Sequence, residues 1–86
     1  MYYKSILIVD DEQDLLMMIK SIFERAGYTQ IMTASSGEIA LEILTNKMPD
    51  MVILDVMMPG IDGFDVLQRI REISKIPVLM LTAKGE

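Results

Sequence analysis

The sequence contains no cysteine and no histidine. The first absence removes disulfides, thiolate nucleophiles and Cys-based zinc sites together. The second removes imidazole ligands and the commonest general base. Any chemistry must therefore come from carboxylates, hydroxyls, Lys or Arg, and backbone groups. Positive charge is scarce: 8 Lys and Arg stand against 13 Asp and Glu, for a net charge of −5. An acidic surface is a poor match for a phosphate backbone, so no direct nucleic-acid binding is expected. Long apolar runs are missing too. The first run, residues 6–9 (ILIV), ends at Asp10 and is too short for a signal peptide. Nothing approaches the length of a membrane span, so no membrane contact is expected and the cytoplasm is the expected compartment.

What remains is globular in character. Of 86 residues, 51% are hydrophobic and 24% charged, which fits one small domain with a modest core. Residues 6–9, 51–54 and 78–81 are continuously apolar. A strand with one wet face alternates, whereas a strand covered by helices on both faces does not, so these runs predict strands of a helix-covered parallel sheet. Residues 30–34 (QIMTA) are more polar and suit an edge strand. Helical spacing appears between the runs. Leu15, Leu16, Ile19, Ile22 and Phe23 form one inward stripe, and Gly27 stands where a left-handed cap is expected. Ser36 is placed to cap a second helix that buries Ala40, Ile43 and Leu44. Asp62 is placed to cap a third, with Val66, Leu67, Ile70 and Ile73 inward. The order β-α-β-α-β-α-β predicts an α/β fold with right-handed crossovers.

Each apolar run is followed by polar residues: Asp10, Asp11 and Glu12 after the first, Asp55 after the second, Thr82 after the third. Open parallel sheets bind ligands outside the carboxyl ends of their strands, so three strands deliver these groups to one edge. Taken singly, the acid pair reads as a solvated cap on a helix dipole, Asp55 as a loop acid, and Thr82 as a capping hydroxyl. Their conjunction asks for a cation, because two carboxylates about 4 Å apart repel by roughly 4 kcal/mol at an effective dielectric of about 20. All-oxygen ligands point to Mg²⁺ or a similar hard ion, which often pairs protein carboxylates with a phosphoryl oxygen.

The stretches ILIVDDE, VILDVMMPGIDG and PVLMLTAKGE resemble the receiver domain of bacterial two-component response regulators, from the first strand to the last residue. The resemblance implies a flavodoxin-like sheet of order 2-1-3-4, with residues 1–86 forming the N-terminal part of the domain. It implies that Asp55 is the phosphoacceptor, receiving a phosphoryl group from a sensor histidine kinase. Asp10, Asp11, Asp55 and the backbone carbonyl of Met57 would hold Mg²⁺. Thr82 and the backbone N–H of Ala83 would hydrogen-bond the phosphoryl group, and Pro59 and Gly60 would shape the loop after Asp55. Bulky Met57 and long Lys84 flank the path of hydrolytic water in such domains. The resemblance thus suggests that they shield a long-lived acyl phosphate, with simple packing of Met57 as the other reading. Such a protein is a phosphoacceptor and not a turnover enzyme. Its parent would control transcription through a DNA-binding output domain.

The same resemblance makes the chain look truncated after its fourth strand. The fifth strand, its Lys and the closing helices have no counterpart among these residues, and Lys84 stands too close to Thr82 to serve. If about six large apolar side chains are bared, the cost is on the order of 9–18 kcal/mol. Typical domain stability is about 5–15 kcal/mol. Self-association through the last strand or the bared face is therefore expected. Two other classes stay open: a non-phosphorylated interaction or dimerisation module, and an aspartyl-nucleophile phosphohydrolase. The hydrolases usually carry a second Asp two residues after the first, where this chain has Met57.

Overall fold

The computed structural model describes residues 2–81, with side chains from residue 4 onward. Seven elements alternate: β1 (Tyr2–Val9), α1 (Gln13–Arg25), β2 (Tyr28–Ala34), α2 (Gly37–Asn46), β3 (Met51–Asp55), α3 (Gly63–Ile73) and β4 (Val78–Leu81). The four strands form one parallel sheet in the order β2-β1-β3-β4. This is the order the resemblance implies, and it puts the more polar β2 at one edge, as its composition suggests.

The continuous apolar runs are explained by cover on both faces. Successive side chains point to opposite sides of a strand. Leu7 and Val9 of β1, with Val52 and Leu54 of β3, pack against Ala40 and Leu44 of α2 and Val66 and Ile70 of α3. The intervening Ile6, Ile8 and Ile53 pack against Leu16 of α1 on the other side. Ile6 through Val9 are fully buried.

The predicted caps are present. The Ser36 hydroxyl accepts from the Ile39 N–H at 3.1 Å. Asp62 and Asp65 form a reciprocal capping box that starts α3. Gly27, at φ 105°, ends α1 in a conformation that L side chains rarely adopt.

Three packing expectations are corrected. Ile22 is 57% exposed and Ile73 is 70% exposed, so neither faces the core. Ile22 lies on the flank of a narrower stripe formed by Leu16, Ile19 and Phe23. Ile73 is the last residue of α3, one turn beyond the buried Ile70. Run 78–81 lacks the cover on both faces that its continuous apolar pattern predicts, since β4 is half-buried with Leu79 56% exposed. It does stand at an edge of the described sheet, the position from which self-association is expected.

The two ends of the sheet differ. At the amino end, Asp50 ties β3 to β1. Its Oδ2 accepts from the Ser5 backbone N–H at 2.7 Å and from the Ser5 hydroxyl at 3.3 Å. The Asp50 N–H donates to the Ser5 carbonyl at 3.0 Å. The backbone bond from Ser5 is the main reason the Asp50 carboxyl is held below its ordinary value of 3.8, with smaller help from the Ser5 hydroxyl, Lys4 and Lys47. The carboxyl end is where polar groups converge.

Candidate functional site

β1 ends at Val9 and β3 at Asp55, and the two strands are direct neighbours in register Val9↔Leu54. Their adjacency places Asp10, Asp11 and Asp55 together at the carboxyl edge. Each offers a carboxylate oxygen, and these oxygens all lie within 4.8 Å of one another. Asp10 is buried, Asp55 half-buried and Asp11 exposed. The group therefore runs from the interior to solvent.

Local backbone geometry fixes two of the three. The Asp10 N–H donates to the Ala34 carbonyl at 3.1 Å, continuing the β1–β2 ladder one residue past the strand. Asp10 Oδ1 accepts from the Glu12 N–H at 2.9 Å, which turns the chain into α1. Asp55 Oδ1 accepts from the Met57 N–H at 3.2 Å, and the Val56 N–H donates to the Leu81 carbonyl at 3.1 Å. Asp55 is thus held by its own following loop while that loop is tied to the end of β4.

The donor set fits Mg²⁺. Mg–O distances near 2.1 Å put neighbouring ligand oxygens about 3 Å apart and opposite ones about 4 Å apart. Carboxylates already within 4.8 Å need only a small closure to meet that geometry. The graded burial suits an ion that keeps several waters: Asp10 anchors the inner side, and the exposed Asp11 leaves the outer side open.

The loop after Asp55 is apolar and open. Val56, Met57, Met58, Pro59, Asp62 and Phe64 line a surface hollow of about 450 Å³. Met57 is 62% exposed and Phe64 61%, so neither is packed into the core among the described residues. Gly60 turns this loop at φ 74°, and a Cβ there would lie 2.9 Å from Oε2 of Glu38 on α2. Thr82, Ala83 and Lys84 lie outside the described residues. A contact that sequence reasoning missed is the seating of Gly63 on the backbone of Asp55 and Val56. Only the GIDG stretch hinted at it, as glycines on either side of a cap.

Comparison with known proteins places these features. The family profile described as the response regulator receiver domain matches residues 6–86. The probable transcriptional regulator ycf27 of Guillardia theta is 46% identical over 83 residues, which are 96% of this chain and 32% of that protein. The alkaline phosphatase synthesis transcriptional regulatory protein PhoP of Bacillus subtilis is 44% identical over 84 residues, 96% of this chain and 35% of its own length. The chain thus spans about a third of the curated relatives it matches. Among solved structures, response regulator protein TrrA of Thermotoga maritima, in complex with Mg²⁺-BeF, superposes with a TM-score of 0.86 at 41% identity. That match covers 95% of this chain and 71% of the other. The N-terminal domain of a response regulator receiver protein from Methanoculleus marisnigri gives a TM-score of 0.87 at 43% identity, covering 99% and 71%.

Proposed function

The chain belongs to the response regulator receiver family, and on that premise we propose that it is a Mg²⁺-dependent phosphoacceptor with Asp55 as the accepting residue. The observation that carries this reading is the convergence of the Asp10, Asp11 and Asp55 carboxylates from two adjacent strands. The Mg²⁺-BeF complex of the Thermotoga maritima relative supports it further.

In this reading an Asp55 carboxylate oxygen attacks the phosphorus of a phosphohistidine on a partner sensor kinase. The new O–P bond forms as the P–N bond breaks. The electron pair goes to the imidazole nitrogen, which then takes a proton. Asp55 becomes an acyl phosphate. Asp10, Asp11, Asp55 and the Met57 carbonyl would hold Mg²⁺, which when bound offsets charge on the transferring phosphoryl group. The Met57 N–H already holds Asp55 Oδ1 at 3.2 Å and so orients the nucleophile. Thr82 and the Ala83 N–H would receive the phosphoryl oxygens. These residues contain no histidine and so supply no phosphohistidine of their own. The role is that of an acceptor that promotes its own modification, without turnover. We place it in the cytoplasm, where such kinases present their phosphohistidine. Among the described residues no helix is long and apolar enough to cross a membrane. In a longer protein the receiver would govern a transcriptional output, as the names of the relatives suggest.

Incubation with Mg²⁺ and a small phosphoramidate, followed by intact mass spectrometry, tests the reading. The expected result is one phosphoryl adduct that Asp55→Asn abolishes, with a longer receiver of the family run alongside to control for the reagent. Turnover of the donor without an adduct would indicate a phosphohydrolase instead, and neither outcome would indicate an interaction module. The exposed Met57 supports the shielding role proposed with Lys84. Loss of the phosphoryl group within seconds would count against that role.

The 86-residue chain on its own is also expected to self-associate. The Pro77 carbonyl accepts from the Val52 N–H of β3 and the Leu81 carbonyl from the Val56 N–H just past it, at 3.1 Å each. Alternation along the strand turns the main-chain groups of Val78 and Met80 toward the outer edge. An edge of this kind is a template for pairing. Sedimentation as a monomer at micromolar concentration in analytical ultracentrifugation would refute this.

A further inference from the structure

We infer that Gly63, the first residue of α3, is a positioning residue for Asp55, acting by the absence of its side chain. The inference rests on the reading of Asp10, Asp11 and Asp55 as a Mg²⁺ site. A Cβ at Gly63 would press into the carbonyl oxygen of Asp55, and would lie 2.8 Å from the Val56 Cα and 3.0 Å from the Asp55 carbonyl carbon. Every one of these atoms is backbone, so no rotamer change can make room. The Gly63 N–H donates to the Val56 carbonyl at 3.1 Å, which fastens the same two segments to each other. The capping box of Asp62 and Asp65 then fixes the direction in which α3 leaves.

The result is a direct abutment of α3 on the peptide that carries the nucleophile. The Asp55 peptide is flanked by β4, through the Val56–Leu81 bond, and by Gly63. Any side chain at residue 63 forces either α3 or the Asp55 backbone to move. Asp55 is the half-buried last residue of β3, one position beyond the last β1–β3 pair (Val9↔Leu54), while α3 is anchored by the buried Val66 and Ile70. Asp55 is therefore the side that gives. A tilt there opens the distance to Asp10 and Asp11, which sit on the independently held end of β1. The consequence is a loss of metal affinity out of proportion to any loss of fold.

The test compares Gly63→Ala with Ile70→Val, which loosens the same helix at a buried position remote from Asp55. Mg²⁺ affinity is measured by isothermal titration calorimetry, and stability by thermal unfolding without the ion. Gly63→Ala is expected to weaken Mg²⁺ binding at least tenfold, while Ile70→Val stays within about twofold of wild type. Equal losses in the two variants, or wild-type affinity in Gly63→Ala, would overturn the inference. A second measurement needs no variant. Because the Gly63 N–H is bonded to the carbonyl of Val56, the residue that follows Asp55, Mg²⁺ should slow hydrogen exchange at Gly63 more than at Ile70 in the wild-type chain. Unchanged exchange at Gly63 would overturn the inference even if Gly63→Ala fails to fold. A wild-type chain that binds no Mg²⁺ would remove the metal reading and this inference with it, a result distinct from binding that is insensitive to Gly63.

Discussion

Asp50 and Asp55 bracket β3, and they illustrate how one residue type serves two ends of a strand. Asp50 satisfies the Ser5 backbone and hydroxyl and so locks β1 to β3 in register. Its carboxyl is depressed in the folded state, chiefly by the Ser5 N–H. The corresponding stability is present above the ordinary carboxyl value of 3.8 and is lost as pH falls through the lower folded value. Asp50→Asn should therefore flatten the acid limb of the stability curve, which circular dichroism across an acid titration would measure. An unchanged acid limb would mean the Ser5 bonds carry no charge-dependent stability. Asp55, at the other end of the strand, accepts from the Met57 N–H, which orients its carboxylate at the edge where Asp10 and Asp11 converge. The nine methionines were hard to assign from sequence, because a flexible thioether packs almost anywhere. Exposure separates them: Met58 is buried, whereas Met57 stands in solvent beside Asp55.

At the scale of the element, the helix starts carry more local design than the helix interiors. Ser36 and the Asp62–Asp65 pair each satisfy N–H groups that a first turn leaves unpaired. Ser36→Ala and Asp62→Ala should each destabilise the chain by about 1 kcal/mol in urea unfolding. Of the two, only Asp62→Ala is also expected to disturb the loop after Asp55. These caps were legible because a Ser or Asp just before a periodic apolar stretch has a direct physical use. The inward faces were less legible. Ile22 and Ile73 carry the right spacing but lie on a flank and at an end, where the sheet does not reach. Spacing reports angle around the helix axis and says nothing of how far the partner surface extends. The edge strand β4 offers a sharper test. Met80→Pro removes an outward N–H without touching the β3 ladder, and proline is tolerated on such an edge. It should weaken the expected self-association in sedimentation while leaving the circular dichroism spectrum unchanged. Undiminished association would assign the contact to the exposed Leu79 and Ile22 instead.

For the molecule as a whole, the candidate site and the fold are energetically linked. Three strand-end carboxylates within 4.8 Å repel one another in the absence of a cation. An ion that binds only the folded chain should raise its stability by about 2.7 kcal/mol at one hundred times the dissociation constant. Calorimetric scans with and without Mg²⁺ should show the rise, and Asp11→Asn should reduce it. No Mg²⁺ dependence would separate the acid cluster from metal binding. The sequence by itself determined the α/β class, the helix caps and the identity of the carboxylates, because apolar runs, periodicity and capping residues act over a few positions. Only the tertiary structure decided that β1 and β3 lie side by side with Asp10, Asp11 and Asp55 in reach of one another. It also decided which methionines are bared, and that Gly63 must lack a side chain. Those facts depend on backbone segments far apart in the chain meeting at van der Waals distance, and no local pattern encodes that separation.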